Sequence, residues 1–478
     1  MNKHNQIIFV DLDGTLVRTD LFAESILQFL KKNPLNIVSV LSWLARGIPY
    51  AKERVAHHVD IDVEELPLEA SLLNYLKAQK KQGRRLVLAS ASHRKYADKI
   101  AAHLGIFDDV LATDANQNMK GRNKLMAIRE VAGDKEFAYA GDSAADSLIW
   151  QAASANIFVN APANEVKAAE AAGKATKIIT SRLPQWRAFL KEMRPHQYAK
   201  NALIFVPLLT SHSYFHPSAF LAAFLAFICF GLCASGVYFL NDLLDLPSDR
   251  RHAIKRSRPL ASGNLTLRMG VAGAIVLPAI AFILAAIFLP FVFVLVLGVY
   301  FLLANAYSFV LKRISTVDVM TLATLYTLRI VAGTAATGIV LSSWLLAFSM
   351  FVFVSLSYLK RYIEVAAIPE DDKNAPGRGY SAADSETMFS LGINSTTASV
   401  LILALYINSQ EVTVLYQTPE ILWVLCLLLL YWGHRIWVGA RRGKITEDPV
   451  LFVMRDKVSL MVGIAVVLVT LAARYIAI

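Results

Sequence analysis

Beyond about residue 199 the chain is a succession of apolar runs, many of 18 or more residues, and this limits its fold more than any other feature. A helix of about 20 such residues crosses the roughly 30 Å of hydrocarbon in a bilayer. Inside lipid each backbone amide needs a partner within the chain, and helices supply one. Nine candidate spans follow: about 199–212, 217–240, 268–289, 290–310, 317–338, 342–360, 387–408, 418–437 and 457–477. The first is short, and the pair over 268–310 is divided only at Pro290.

The loops between these spans sort by charge. Those at 241–268, 311–316, 359–386 and 435–457 carry 6, 2, 4 and 6 Lys or Arg, 18 together. The alternate loops, near 213–216, 289–290, 339–341 and 409–417, carry none. The positive-inside rule then predicts a cytoplasmic N-terminal domain and an external C-terminus. The net charge of +11 does not point to nucleic acid, because most basic residues of the membrane half lie in these loops and no motif supports nucleic-acid binding. With 55% hydrophobic and 18% charged residues, the composition excludes an ordinary soluble protein.

Residues 1–195 read differently, mixed and charged. Met1–Gln6 leads directly into a strand-like run, Ile7–Val10, with no room for a secretory signal. Short apolar strands at 7–10, 86–90, 137–140 and 156–159 alternate with helical segments, which predicts a parallel sheet covered on both faces. Before the first span, Pro184 opens a helix with Trp186, Phe189, Leu190 and Met193 on one face and Arg187, Lys191 and Arg194 beside them. Two readings stand, an interfacial helix or a linker packed on the soluble domain. Cys229, Cys233 and Cys426 lie inside apolar runs; packing is the expected role, and a metal pair at 229 and 233 the alternative.

The first strand ends in Asp11-Leu12-Asp13-Gly14-Thr15. Carboxylates leaving the carboxyl end of a parallel strand sit where such sheets bind ligands. Two of them can divide labour: one attacks phosphorus, the other protonates the leaving oxygen and then activates water. Ser90 closes the next strand, Lys124 offers a cation to phosphate, and Gly141-Asp142-Ser143-Ala144-Ala145-Asp146 adds two carboxylates suited to Mg²⁺.

At the end of the second span stands Asn241-Asp242-Leu243-Leu244-Asp245-Leu246-Pro247-Ser248-Asp249. A helix would project Asp242, Asp245 and Asp249 on one side. Acids at a membrane boundary are functional candidates, and clustered carboxylates holding Mg²⁺ can grip a diphosphate. Lys255, Arg256 and Arg258 follow, cations able to take up diphosphate charge; the bland alternative is a solvated loop.

The four N-terminal elements resemble the haloacid dehalogenase-type phosphatases. The resemblance implies an α/β Rossmann-like domain over 1–181 with a small helical cap at about 18–80. It assigns Asp11 as nucleophile and Asp13 as acid/base, Ser90 and Lys124 to phosphate, and Asp11, Asp13, Asp142 and Asp146 to the Mg²⁺ side. A retained but inactive domain is the alternative. Within the cap, the apolar run Ile37–Leu44 could pack on the core or rest on a membrane.

The remainder, 196–478 after a linker helix at 182–195, resembles the UbiA-type prenyltransferases, all-α bundles of nine transmembrane helices. In that family a first aspartate motif, here Asp242, Asp245 and Asp249 with Asn241, binds Mg-diphosphate, and most members carry a second aspartate-rich motif. This chain has Tyr358-Leu359-Lys360-Arg361-Tyr362-Ile363-Glu364 instead. Arg194-Pro195 with Lys200-Asn201, the run Tyr307–Lys312 with Asp318, the Lys360-Arg361 turn and Glu447–Val450 are similar to one branch, the decaprenyl-phosphate phosphoribosyltransferases. That likeness implies transfer of 5-phosphoribose from phosphoribosyl diphosphate to a polyprenyl phosphate. Lys200, Asn241, Lys255, Arg258, Tyr307, Lys312, Lys360 and Arg361 would bind substrate, in a multi-pass protein of the bacterial inner membrane. Arg329, in mid-span, has two readings: cavity-facing, or paired with a neighbouring helix. The transfer product keeps a terminal 5-phosphate that the phosphatase-type domain could remove. The rivals are a prenyltransferase using a prenyl diphosphate, and a transporter or scaffold with a regulatory domain.

Overall fold

A computed structural model describes residues 6–114, 118–367, 379–445 and 448–476; Glu447 of the 447–450 turn and Ile478 lie outside the described residues. The chain divides into two compact units, Met1–Arg194 with Tyr238–Val276, and Pro195–Val237 with Leu277–Ile478.

The first unit is an α/β domain with strands β1 (Ile7–Val10), β2 (Leu86–His93), β3 (Asp109–Thr113), β4 (Phe137–Gly141), β5 (Ala155–Val159) and β6 (Ala175–Ile179). All pair in parallel in the order β3-β2-β1-β4-β5-β6. Alternation along β1 serves two cores. Ile8 and Val10 join the cluster containing Leu72, Leu88 and Ile100, while Ile7 and Phe9 join that of Val87, Ile128 and Trp150. The four expected strands are present. The two not expected, β3 and β6, are the edges of the sheet, where Asp109 and Lys177 interrupt the apolar run that marks a buried strand.

Helices α1 (Leu21–Lys32), α2 (Asn36–Ala45) and α3 (Ile48–His58) form the cap after β1, and α4 (Ala70–Lys81) returns to the sheet. Asp20 caps α1 by accepting from the Ala23 amide at 3.0 Å, and Leu21, Ser25 and Phe29 bury its inner face. The other helices are α5 (Arg94–Leu104), α6 (Arg122–Ala132), α7 (Ser147–Ala152), α8 (Ala163–Ala171) and α9 (Gln185–Glu192). The helix expected before the first span is α9. Gln185 bonds the Asn264 carbonyl at 2.8 Å and the Thr266 amide at 3.1 Å, while Phe189 packs on Phe239. Trp186 and Leu190 stay exposed.

The same unit takes in the aspartate-bearing loop. Helix α11 (Pro217–Leu244) ends there, α12 (Leu246–Arg251) follows, and α13 (Leu267–Phe288) leaves it. Gly263 shows why this loop needs a glycine. Its φ is +69° and a Cβ would meet the Arg18 carbonyl oxygen at 2.6 Å.

Further along the chain come α14 (Phe291–Phe309), α15 (Val317–Thr337), α16 (Ser343–Ala366), α17 (Ser385–Ile407), α19 (Trp423–Arg441) and α21 (Lys457–Tyr475). Short helices α10 (Val206–Thr210), α18 (Gln410–Leu415) and α20 (Pro449–Arg455) complete the second unit. Among the described residues eight helices are long and apolar enough to cross a membrane, so the protein is a multi-pass membrane protein, and the nine expected spans exceed these by one. The missing one is the first, 199–212. Pro207 has no amide hydrogen and its ring obstructs a continuous α-helix, so the stretch is a 3₁₀ run, Pro195–Phe205, followed by α10.

Arg329 on α15 ties this irregular segment down. It donates to Asn201 Oδ1 at 2.9 Å, to the Leu325 carbonyl at 2.5 Å and to Tyr300 Oη at 3.3 Å, buried among Phe230, Tyr300 and Tyr326. Of its two readings, the structure gives the pairing one. All three cysteines are free and buried, as packing residues are.

Candidate functional sites

The carboxyl ends of β1, β2 and β4 converge on one site. Asp11 leaves β1 beside β4, its amide donating to the Ala140 carbonyl at 2.9 Å. Asp11, Asp142 and Asp146 each place a carboxylate oxygen within 4.8 Å of the others. Three acids so close repel one another. Burial first, then Asp11 and Asp146, push Asp142 up to about 7, and burial against the pull of Lys124 leaves Asp11 at about 6. A divalent ion among them would remove that repulsion, so the residues fit Mg²⁺. Gly14 is required here, at φ +79°, because a Cβ would collide with the Asp142 carboxylate.

Lys124 Nζ donates to Asp11 Oδ1 at 2.7 Å and stands 3.8 Å from Asp146 Oδ1. Tyr139 Oη fixes Asp146 at 2.6 Å. Asp13, expected on the metal as well, faces elsewhere. It accepts from the Ser92 hydroxyl and from the Leu21 amide (3.0 Å), outside the trio of carboxylates. Burial and the nearby Asp20 raise it to about 7, which suits a proton carrier. Ser90 is buried at the end of the β2 core and its Oγ accepts from the Ser92 amide at 2.9 Å.

Sequence reasoning missed two groups. Ser92 holds Asp13, and only the extension of β2 to His93 brings it there. Lys52, on cap helix α3, bonds the Ala91 carbonyl at 2.6 Å; burial lowers its pKa despite the nearby Asp13 and Asp20. Its only sequence signal was a lysine in the cap.

The second cluster surrounds Asp242, which is buried and held by Arg194 and by Arg258 Nη1 at 3.0 Å. That same nitrogen reaches Asp249 Oδ2 at 2.6 Å, so one cationic atom bridges two carboxylates. Asp245 is not drawn in; it takes Lys31 of α1 at 2.9 Å, and the three aspartates do not gather into one metal-holding group. Burial raises the pKa of Asp249 while Arg258 opposes it. Glu192, which sequence reasoning missed, is buried beside Asp242. Burial and the Asp242 carboxylate push its pKa up to about 9. The Asn241 side chain has no bond to this cluster among the hydrogen bonds described, and Lys255 lies in the exposed turn Lys255–Ser257.

The third cluster belongs to the other unit. Arg361 is wholly buried, with Nε 2.6 Å from Asp318 Oδ2, an ion pair to Glu364 and a bond to Tyr307 Oη at 3.0 Å. Tyr307 donates in turn to Asp318 at 2.7 Å. Lys200 and Lys360 both take Asp448 Oδ2, at 3.0 and 3.2 Å, and together hold its pKa well below the usual range against the effect of burial. Lys312 lies in the turn Leu311–Arg313.

A parallel α/β hydrolase-like domain with a carboxylate trio, joined to a helical membrane domain with an aspartate loop, defines a two-domain membrane enzyme. The chain belongs to the UbiA prenyltransferase family, whose pattern matches residues 202–455, and its N-terminal part is a haloacid dehalogenase-like hydrolase domain, matched over 8–147. An uncharacterised protein of Sinorhizobium fredii is 35% identical over 459 residues, 95% of this chain and 89% of its own. The decaprenyl-phosphate phosphoribosyltransferase of Corynebacterium glutamicum is 33% identical over 179 residues, 37% of this chain and 54% of its own. A UbiA homologue from Archaeoglobus fulgidus, solved with DMAPP and Mg²⁺, is 17% identical, with a TM-score of 0.46 over 60% of this chain and 97% of its own.

Proposed function

We propose that the membrane domain transfers 5-phosphoribose from phosphoribosyl diphosphate to a polyprenyl phosphate, and that the N-terminal domain removes the 5-phosphate of the lipid product. The carrying observation is the basic character of the cytoplasmic end of α16, where Lys360 and Arg361 stand in place of a second set of acids. A prenyl diphosphate donor brings one charged group to such a site. Phosphoribosyl diphosphate and a lipid phosphate bring three, and cations are the groups that receive them. The partial likeness to decaprenyl-phosphate phosphoribosyltransferases supports the same donor.

In this reading Asp242 and Asp249 would hold Mg²⁺, which would supply positive charge for the diphosphate, and Arg258 and Lys255 take up charge beside them. Lys200, Lys360 and Lys312 serve the remaining phosphates. Arg361 and Tyr307 position the end of α16 through Asp318. In the soluble site Asp11, Asp142 and Asp146 would hold Mg²⁺, which would supply positive charge for the phosphomonoester. Asp11 attacks phosphorus while Asp13 gives its proton to the leaving ribose oxygen, and Asp13 then draws a proton from water to release Asp11. The loop charges put the N-terminal domain in the cytoplasm and the C-terminus outside, in a bacterial inner membrane. Nine crossings remain compatible with eight long helices. The eleven residues of Pro195–Phe205 rise about 22 Å as 3₁₀ turns and α10 adds about 8 Å, near the roughly 30 Å of a bilayer.

The test is a single assay. Purified protein with Mg²⁺, polyprenyl phosphate and labelled phosphoribosyl diphosphate should give a lipid-linked ribose product resolved by mass. Consumption of a prenyl diphosphate instead would transfer the assignment to the prenyltransferase class.

A further inference from the structure

Helix α2 is apolar and almost entirely uncovered. Its ten residues, Asn36–Ala45, include no charge, and Val40 alone among them is buried. Leu35 is 76% exposed, Val38 69% and Leu41 59%. Ile37, Leu41 and Leu44 follow one another at helical spacing along a single stripe, and all three are exposed. Trp43 anchors the opposite side, stacked on Phe29 at 5.4 Å between centroids and lying beside His58. A soluble cap would turn that stripe inward or dilute it with charge.

Two observations say what covers it. From Ser25 to Lys52 the chain contains no acidic residue, while Lys31, Lys32 and Arg46 flank the apolar run. An apolar face bordered by cations is the composition of a helix lying in a lipid headgroup layer. The second observation is position. Lys31 bonds Asp245, the residue that directly follows α11, a membrane-crossing helix ending at Leu244. Leu35 is four residues beyond Lys31, so the start of the stripe lies within about 14 Å of that anchor. The headgroup layer occupies about 5–7 Å on each side of the hydrocarbon.

We propose that α2 is a membrane-docking helix, its apolar surface from Leu35 to Leu44 seated in the acyl-headgroup boundary of the bilayer that α11 crosses. Docking there holds the cap, and Lys52 of α3 within it, at the lipid surface. A phosphomonoester on a lipid carrier then reaches Asp11 without leaving the membrane. That last consequence rests on the reading of the domain as a lipid-product phosphatase; the docking itself does not.

The experiment uses the full-length chain in lipid nanodiscs, with an environment-sensitive fluorophore on Val38→Cys and, as control, on Met126→Cys of α6, 60% exposed in the same unit. The three native cysteines are buried and leave the introduced one as the accessible thiol. Docking predicts a blue-shifted Val38 label quenched several-fold more by nitroxide-bearing lipids than the Met126 label. Equal quenching at the two positions, or disulfide formation between Val38→Cys chains in its place, overturns the proposal. A second variant carries Val38→Asp and Leu41→Asp, both exposed and free of folding demands. It should lose quenching of a label at Leu44→Cys and hydrolyse the lipid-linked 5-phosphate several-fold more slowly, with a small soluble phosphomonoester unaffected. If the label stays quenched in the parent while neither chain attacks the lipid-linked phosphate, docking stands and the proposed substrate falls.

Discussion

Arg250 and Glu24, 226 positions apart in the chain, form a buried two-bond ion pair, Nη1 to Oε1 at 2.7 Å and Nη2 to Oε2 at 2.9 Å. The remaining guanidinium nitrogen, Nε, donates to the Ala261 carbonyl at 3.1 Å. Arg250 lies on α12, one residue after Asp249, and Glu24 lies on cap helix α1. The pair therefore joins the loop proposed to hold diphosphate to the cap of the phosphatase-type domain, and Lys31 with Asp245 adds a second link.

Breaking such a pair from one side strands a buried charge. Glu24→Ala or Arg250→Ala should each destabilise the first unit by about 3–5 kcal/mol, whereas replacing both with Leu and Met should cost far less. Protease resistance of the full-length chain in nanodiscs measures this. Equal losses in single and double variants would show that the carboxylate and guanidinium do not depend on each other.

At the aspartate loop, Asp242→Ala should abolish transfer of phosphoribose and Asp249→Ala should come close to it. Each removes one of the two carboxylates bridged by Arg258 Nη1. Asp245→Ala should be milder than either, because that carboxylate is spent on Lys31. Transfer of label into lipid reads all three. Near-normal transfer by Asp242→Ala at saturating Mg²⁺ would remove the cation site from this loop.

Lys360 and Arg361 are adjacent in sequence yet should fail in different ways. Arg361→Ala leaves Asp318 buried without its ion pair, so it should lower both thermal stability and activity. Lys360 is only partly buried, and Asp448 keeps Lys200 without it. Lys360→Ala should raise KM for phosphoribosyl diphosphate about tenfold or more with the melting temperature unchanged, as for loss of a charge-assisted phosphate contact. An unchanged KM would exclude Lys360 from the donor site.

These differences also mark what the sequence could reveal. Asp11-Leu12-Asp13-Gly14-Thr15 and Gly141–Asp146 are local patterns at strand ends, so their convergence followed from the order of strands in a parallel sheet. The long spans were equally legible, because hydropathy is a property of contiguous residues. Pairings across hundreds of residues carry no such signal: neither Glu24 with Arg250 nor Glu192 beside Asp242 leaves a local mark. Arg361 reads as a binding cation until Asp318, Glu364 and Tyr307 are seen around it. The broken first span had a signal, Pro195 and Pro207, which hydropathy alone conceals.

Metal and pH should act together on the soluble site. Without metal, Asp11, Asp13 and Asp142 titrate at about 6, 7 and 7, above their ordinary value near 4, chiefly because they are buried. Between pH 4 and 7 these three groups bind more protons in the folded domain than in the unfolded chain, so their contribution to its stability falls as pH rises through that window. Mg²⁺ must displace those protons to bind. Protection from proteolysis by Mg²⁺ over EDTA should therefore be small at pH 5 and large at pH 8. Equal protection at both would mean that the carboxylate trio does not carry the ion.

The coupling of the two domains turns on Asp11→Asn. The substitution keeps side-chain size and removes the charge and nucleophilicity of the attacking carboxylate, while Lys124 retains Asp146 as a neighbour. The Asp242–Asp249 loop shares no hydrogen bond with Asp11 among those described, so transfer should proceed at the wild-type rate. The mutant should then accumulate lipid-linked 5-phosphoribose, and the wild type the species lighter by one phosphate, resolved by mass in the same assay. Identical products from both would make the α/β domain a passenger or a regulator. Loss of transfer in Asp11→Asn would instead show that the link through Glu24 and Arg250 carries the state of one site to the other.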